Sequence, residues 1–125
     1  MTKRAVVPFL VLGICALAAV AGGKRAQVSG WVSDEGCGAK HAKPGGADCI
    51  RKCLRGGASV GHPEWKAQRM VLVEDAEKSV WVVQNPEALK DHEGEHVKIA
   101  AVVNAAEKSL RVTQLLSADR GDGKK

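Results

Sequence analysis

The sequence predicts a mainly β fold, a small five-stranded barrel with two short helices and a signal peptide in front of it. Three observations support this prediction. The chain has 125 residues, which is enough for one domain and too few for two. Apolar and polar residues alternate in short β-branched runs, which is the period of strands. Short polar segments separate these runs and are typical of hairpin turns.

The first 21 residues have the layout of a secretory signal peptide. Lys3 and Arg4 give a positively charged start, and a nearly unbroken apolar run follows over 5–20. Ala19-Val20-Ala21 then forms a small–x–small cleavage signature. We therefore expect a mature chain that begins at Gly22, is periplasmic or secreted, and keeps no stable membrane span.

Five segments of the mature chain have the alternation of strands. A first strand is predicted over 26–33, a hairpin over 69–74 and 79–84, and a second hairpin over 96–104 and 109–116. From Ala118 the chain is rich in glycine and charge. We therefore expect the barrel domain over 22–117 and a disordered tail over 118–125.

Two short helices are expected between the strands. Asp48 is the expected N-cap of a helix over 49–55 that ends at Gly56-Gly57. Asn85 is the expected N-cap of a second helix, with Pro86 at its first position. This element order is that of an OB-like barrel, named after oligonucleotide and oligosaccharide binding. A sandwich or an open meander also fits the order, but closure into a barrel removes exposed strand edges.

Composition and motifs argue against nucleic-acid binding and against zinc-protease activity. The formal net charge is +5, and removal of the signal peptide would lower it by two. So small a positive charge attracts nucleic-acid phosphates only weakly. Trp31, Trp65 and Trp81 are each expected in the core or on a sheet face, not on a base-stacking platform. The segment 92–96 matches the zinc-protease pattern H-E-x-x-H, but Gly94 interrupts the helix that this mechanism needs. We therefore predict no nucleic-acid binding and no enzymatic activity.

The chemically distinctive segment spans 34–57 and has the spacing C-x3-H-x7-C-x3-C. A fourth cysteine, at position 15, should leave with the signal, so three thiols remain and a single disulfide would leave one unpaired. Cys49 and Cys53 are four residues apart on the predicted helix, which separates their Cβ atoms by about 5–6 Å. A disulfide needs roughly 3.8 Å between Cβ atoms, so an intact helix disfavours a bridge between this pair.

Three interpretations of this segment remain open. In the first, export favours a structural disulfide from Cys37 to Cys49 or Cys53, which would contribute roughly 3 kcal/mol. In the second, Cys37, His41, Cys49 and Cys53 form a Cys3His site for zinc or copper(I). In the third, the helix N-terminus activates Cys49 as a reactive periplasmic thiol. All three describe an exported structural or binding module, whose partner is an unidentified protein or small ligand.

The same pattern of cysteines and histidine is similar to that of a known group of proteins. Asp34-x-x-Cys37 is followed by His41, Cys49-x3-Cys53 and Gly56, and then by a β-rich stretch to Val112-Thr113. This pattern resembles a family of small exported bacterial domains of unknown function, over most of the mature chain. Glu35 stands where serine is usual in that pattern, and Ala100-Ala101 where a glycine often lies. The resemblance implies export and a small barrel, and it implies no particular activity.

Overall fold

The computed structural model describes residues 23–121 and shows a mainly β, closed five-stranded barrel, as predicted. The predicted signal peptide, with Cys15, lies outside the described residues. One α-helix and three 3₁₀ turns accompany the strands within the described range. The strands and the helix, in chain order, are β1 (Lys24–Asp34), α1 (Ala47–Arg55), β2 (Met70–Glu74), β3 (Val80–Val83), β4 (His96–Asn104) and β5 (Ser109–Asp119).

The barrel closes in the order β1-β2-β3-β5-β4, with β4 returning to β1. All pairs are antiparallel except β3 and β5, which run parallel where Val82 and Val83 face Ser109 and Leu110. Strand β1 pairs with β4 along its first part and with β2 along its last part. At the overlap, a Cβ on Gly30 would lie 2.2 Å from the Val73 carbonyl oxygen, so this close approach requires glycine.

Because side chains alternate along a strand, every second strand residue faces the inside of the barrel. The strand residues of the core are Val28, Val32, Met70, Leu72, Val83, Val97, Ile99, Ala101, Leu110 and Val112. Leu89, from the 3₁₀ turn Pro86–Leu89, is fully buried among them. Burial of these aliphatic side chains stabilises the domain, because each contributes roughly 1.5–3 kcal/mol of transfer free energy.

Helix α1 begins two residues earlier than predicted, and the expected cap is wrong. Gly46 occupies the N-cap position, and its carbonyl accepts the hydrogen bond of the Ile50 N–H at 3.0 Å. Asp48 therefore lies inside the first turn, where its exposed carboxylate is 3.4 Å from Arg51. Ile50 is completely buried, and Leu54, one turn later, packs against the barrel core.

The second predicted helix is only the 3₁₀ turn Pro86–Leu89. The Asn85 side chain does not cap it, because both ends of its amide bond the backbone of β5 instead. The amide nitrogen donates to the Val112 carbonyl and the amide oxygen accepts the Val112 N–H, each at 2.8 Å. Asn85 thereby ties the connection between β3 and β4 to β5, the strand that lies between them in the barrel.

Strand β5 extends past the predicted end of the domain. Val97 pairs with Ala118 and His96 pairs with Asp119, so both residues belong to the sheet and not to a tail. Residues 122–125 lie outside the described range. Between residues 23 and 121, no helix has both the length and the apolar character needed to cross a membrane.

Candidate metal centre

The end of β1 delivers a carboxylate into the interior of the protein. Ser33 and Asp34 are both fully buried. One oxygen of the Asp34 carboxylate, Oδ2, accepts the Cys37 N–H at 2.9 Å. The Ser33 hydroxyl donates to the Gly38 carbonyl at 2.9 Å. These two bonds fold residues 34–38 into a tight turn directly after the strand.

An ion pair on the outside holds the same turn against β2. Arg69 donates from its backbone N–H to Glu35 Oε1 at 3.1 Å and from Nε to Oε2 at 2.9 Å. The backbone and side-chain hydrogen bonds from Arg69 lower the pKa of Glu35. Glu35 therefore stays ionised under mildly acidic conditions, and the turn keeps its place against the barrel.

The 3₁₀ turn Gly38–His41 brings two further side chains to Asp34. Ligand atoms of Asp34, Cys37 and His41 all lie within 4.8 Å of one another. His41 Nδ1 is 3.5 Å from Asp34 Oδ1, and the side chains are 18 % and 0 % exposed. Neither of these two buried atoms has a hydrogen-bond partner within the described residues. An unpartnered buried polar atom costs about 1–3 kcal/mol, so a pair facing each other indicates a ligand position.

Comparisons with protein-family models, curated proteins and solved structures find no match to this chain. The resemblance to small exported domains therefore stays a prediction.

Helix α1 carries Cys53, a half-buried thiol on which the charges of this cluster act. Burial, followed by the charges of Asp34, Cys37 and Cys49 and by a hydrogen bond with Cys49, raises the pKa of Cys53 to about 11. Cys53 thus lies within electrostatic reach of both the turn and the first cysteine of the helix. Cys49 itself is exposed, at the outer side of the cluster.

The structure brings together two of the four residues that the spacing singled out, because Cys37 and His41 meet around Asp34. Neither cysteine of α1 belongs to this group of ligand atoms: Cys53 is half-buried and Cys49 is exposed. Asp34 was missed as a ligand candidate. Its sequence signal was the Asp-x-x-Cys spacing, which allows a carboxylate to accept the N–H three residues later and so to share a turn with the thiol.

All three cysteines of the described residues are free thiols in this structure. A bridge between Cys49 and Cys53 is not formed, in keeping with the intact helix. The disulfide predicted from Cys37 to the helix is not formed either, and it stays a prediction for oxidised protein.

The two histidines of the H-E-x-x-H match do not meet at one site. His92 Nδ1 lies 2.6 Å from Glu95 Oε2, whereas His96 Nε2 lies 2.6 Å from Asp75 Oδ2. Gly94 has a φ of 78°, the chain turns there, and β4 begins at His96. The continuous helix required by the protease mechanism is therefore missing from this segment.

We expect iodoacetamide to modify Cys49 well before Cys53 in metal-free protein kept in EDTA at neutral pH. Only the thiolate attacks, and the raised pKa keeps Cys53 protonated there. Because the pKa is raised, the rate at Cys53 should climb about tenfold per pH unit up to roughly pH 10. Mass spectrometry of the labelled peptides measures both rates, with urea-unfolded protein as the control. Equal rates at neutral pH in folded protein would contradict this expectation.

Proposed function

We propose that this protein is a small exported zinc-binding module. Its ligands are Asp34, Cys37 and His41, with Cys53 as the fourth. The observation that carries the proposal is the fully buried Asp34 carboxylate, whose Oδ1 has no hydrogen-bond partner and faces an equally unpartnered His41 Nδ1. A cation between these atoms would bond both of them and balance the buried negative charge.

The distances support tetrahedral zinc. With Zn–O and Zn–N bonds of about 2.0–2.2 Å, two ligand atoms of a tetrahedron lie about 3.4 Å apart. Asp34 Oδ1 and His41 Nδ1 are 3.5 Å apart in this structure. The spread of up to 4.8 Å among the three ligand atoms requires only small side-chain adjustments to reach the same geometry.

The mixture of donors favours zinc over copper(I). Copper(I) prefers thiolate and thioether ligands, whereas a carboxylate is a hard donor. Zinc accepts carboxylate, imidazole and thiolate ligands together. Four protein ligands also leave no open coordination position, which is typical of structural zinc sites and agrees with a non-enzymatic module.

A disulfide between Cys37 and Cys53 is the competing possibility. Both thiols are half-buried, the charge of Cys37 acts on Cys53, and an exporting cell would deliver the chain to an oxidising compartment. The disulfide and the zinc site exclude each other, because each uses the same two sulfur atoms. We also infer an OB-like barrel, supported by the five-strand order and by the helical turn between β3 and β4.

Protein purified from the periplasm is expected to contain about one equivalent of zinc. Elemental analysis measures the metal, and a thiol reagent counts free cysteines before and after unfolding in EDTA. The proposal expects the ligand thiols to be protected until the chelator is added, and all three to react afterwards. Absence of metal together with one reactive thiol after unfolding would establish the disulfide instead.

Two serine variants test the fourth ligand. Cys53→Ser should lose tight zinc binding, whereas Cys49→Ser should keep it, because Cys49 is exposed at the outer side of the cluster. The two substitutions make the same chemical change one helical turn apart, so each is the control for the other. Retention of zinc by Cys53→Ser and its loss in Cys49→Ser would reassign the fourth ligand.

A further inference from the structure

A groove of about 910 Å³ lies beside the cysteine cluster, between the last turns of α1 and the loop that follows. It is lined by ten residues: Lys52, Cys53, Arg55, Gly56, Ser59, Val60, Glu64, Trp65, Lys66 and Gln68. Backbone hydrogen bonds order its loop wall. The Gly57 N–H donates to the Trp65 carbonyl at 2.8 Å, and the Gln68 N–H donates to the Cys53 carbonyl at 2.9 Å. The groove is therefore formed before any ligand arrives.

The apolar wall of the groove is the most exposed large apolar surface in the described part of the chain. Val60 is 67 % exposed and Trp65 is 56 % exposed, compared with 39 % for Val80 and 38 % for Leu116 elsewhere. The core or sheet-face position expected for Trp65 is therefore wrong. The Trp65 indole stacks on the His62 ring, with centroids 3.9 Å apart and planes 10° apart. Because the stacking already orders the indole, a ligand that binds it loses little further side-chain entropy. Exposed apolar patches of this kind mark binding sites.

The charged residues of the groove are predominantly basic. Lys52, Arg55 and Lys66 line it, and none of them forms an ion pair within residues 23–121. The acidic lining residue, Glu64, is already paired with His62, whose Nδ1 lies 2.9 Å from Glu64 Oε1. An anionic group entering the groove would therefore meet three cations and one carboxylate, that of Glu64, which is hydrogen-bonded to His62.

We propose that this groove binds a small organic anion, a carboxylate or sulfonate on an aromatic or branched aliphatic body. The body packs against Trp65 and Val60, and the acid group lies among the free cations at the rim. The groove volume falls within the range of about 300–1,000 Å³ that small-molecule sites occupy. Binding does not require zinc, although Cys53 lines the groove and belongs to the proposed metal site.

Anilinonaphthalenesulfonate is the probe, because it combines an aromatic body with one sulfonate. Its fluorescence should rise saturably, with about one equivalent bound. Phenylnaphthylamine has the same aromatic body without the charge and should bind at least about tenfold more weakly, a difference of about 1.4 kcal/mol. Added salt should weaken the binding of the sulfonate probe and not that of phenylnaphthylamine, because salt screens the exposed cations of the groove. Equal binding of the two probes would overturn the proposal.

Substitutions inside and outside the groove test where the two probes bind. The double variant Lys52→Ala/Lys66→Ala should weaken sulfonate binding about tenfold and leave phenylnaphthylamine binding unchanged, whereas Trp65→Ala should weaken both. Lys98→Ala and Val80→Ala, which alter exposed residues outside the groove, should change neither. Sulfonate binding unaffected by both groove variants would overturn the proposal. Titrations of zinc-loaded and EDTA-treated protein keep this result separate from the zinc proposal.

Discussion

Replacing Asp34 with asparagine is expected to lower the zinc affinity by at least about a hundredfold, the upper end of what loss of an outer-shell partner costs a zinc site. The substitution exchanges a charged ligand for a neutral amide at the buried centre of the cluster. Competition with a chromophoric chelator measures the affinity directly. An unchanged affinity would remove Asp34 from the ligand set and, with it, the observation on which the zinc proposal rests.

The asparagine change is chosen because it preserves the local fold. Its side-chain oxygen can still accept the Cys37 N–H, so the turn after β1 survives. Metal-free Asp34→Asn protein should be at least as stable towards urea as the parent, because a buried carboxylate with one unpartnered oxygen has been removed. Asp48→Asn makes the same change at an exposed carboxylate in the first turn of α1; it should leave zinc affinity unaltered and cost no more than about 1 kcal/mol of stability. A purely structural role for Asp34 predicts the opposite pattern, with stability lost in the metal-free protein.

The strands were predictable because their signals are local. Alternating side chains and a polar turn determine each hairpin, and the predicted span 96–104 is the observed β4. The closure of the barrel is not local. The parallel contact of Val82 and Val83 with Ser109 and Leu110 joins segments that no short-range pattern connects. It depends on the pairing of β1 with both β2 and β4, whose registers overlap at Gly30 and Trp31.

The candidate site was predictable in its residue types but not in its arrangement. A spacing of four places Cys49 and Cys53 on one side of a helix, but it does not say which way that side turns. In the observed rotation Ile50 is fully buried and Leu54, four residues later, packs against the barrel core. Cys53 is then half-buried, whereas Cys49 remains exposed. Asp34 became a candidate only when the pairing of β1 placed its carboxylate in the interior.

Replacing Ile50 with alanine is expected to destabilise the protein by about 2–5 kcal/mol, since a fully buried aliphatic side chain is truncated. Ile50→Val removes one methyl group and should cost about 0.5–1.5 kcal/mol, so it is the matched control. Urea denaturation in EDTA measures both values. A cost for alanine no larger than that for valine would show that α1 is not held to the barrel through this side chain.

The same variant links the packing of α1 to zinc binding. In the parent protein, saturating zinc should raise the free energy of unfolding by about 2.7 kcal/mol when its free concentration is a hundred times the dissociation constant. In the zinc proposal, Cys53 contributes its thiol only while α1 stays in place, and Ile50 is the fully buried side chain of that helix. Ile50→Ala should therefore gain markedly less from the same zinc concentration, although it changes no ligand. An equal gain in both proteins would mean that zinc binding does not depend on the packing of Ile50.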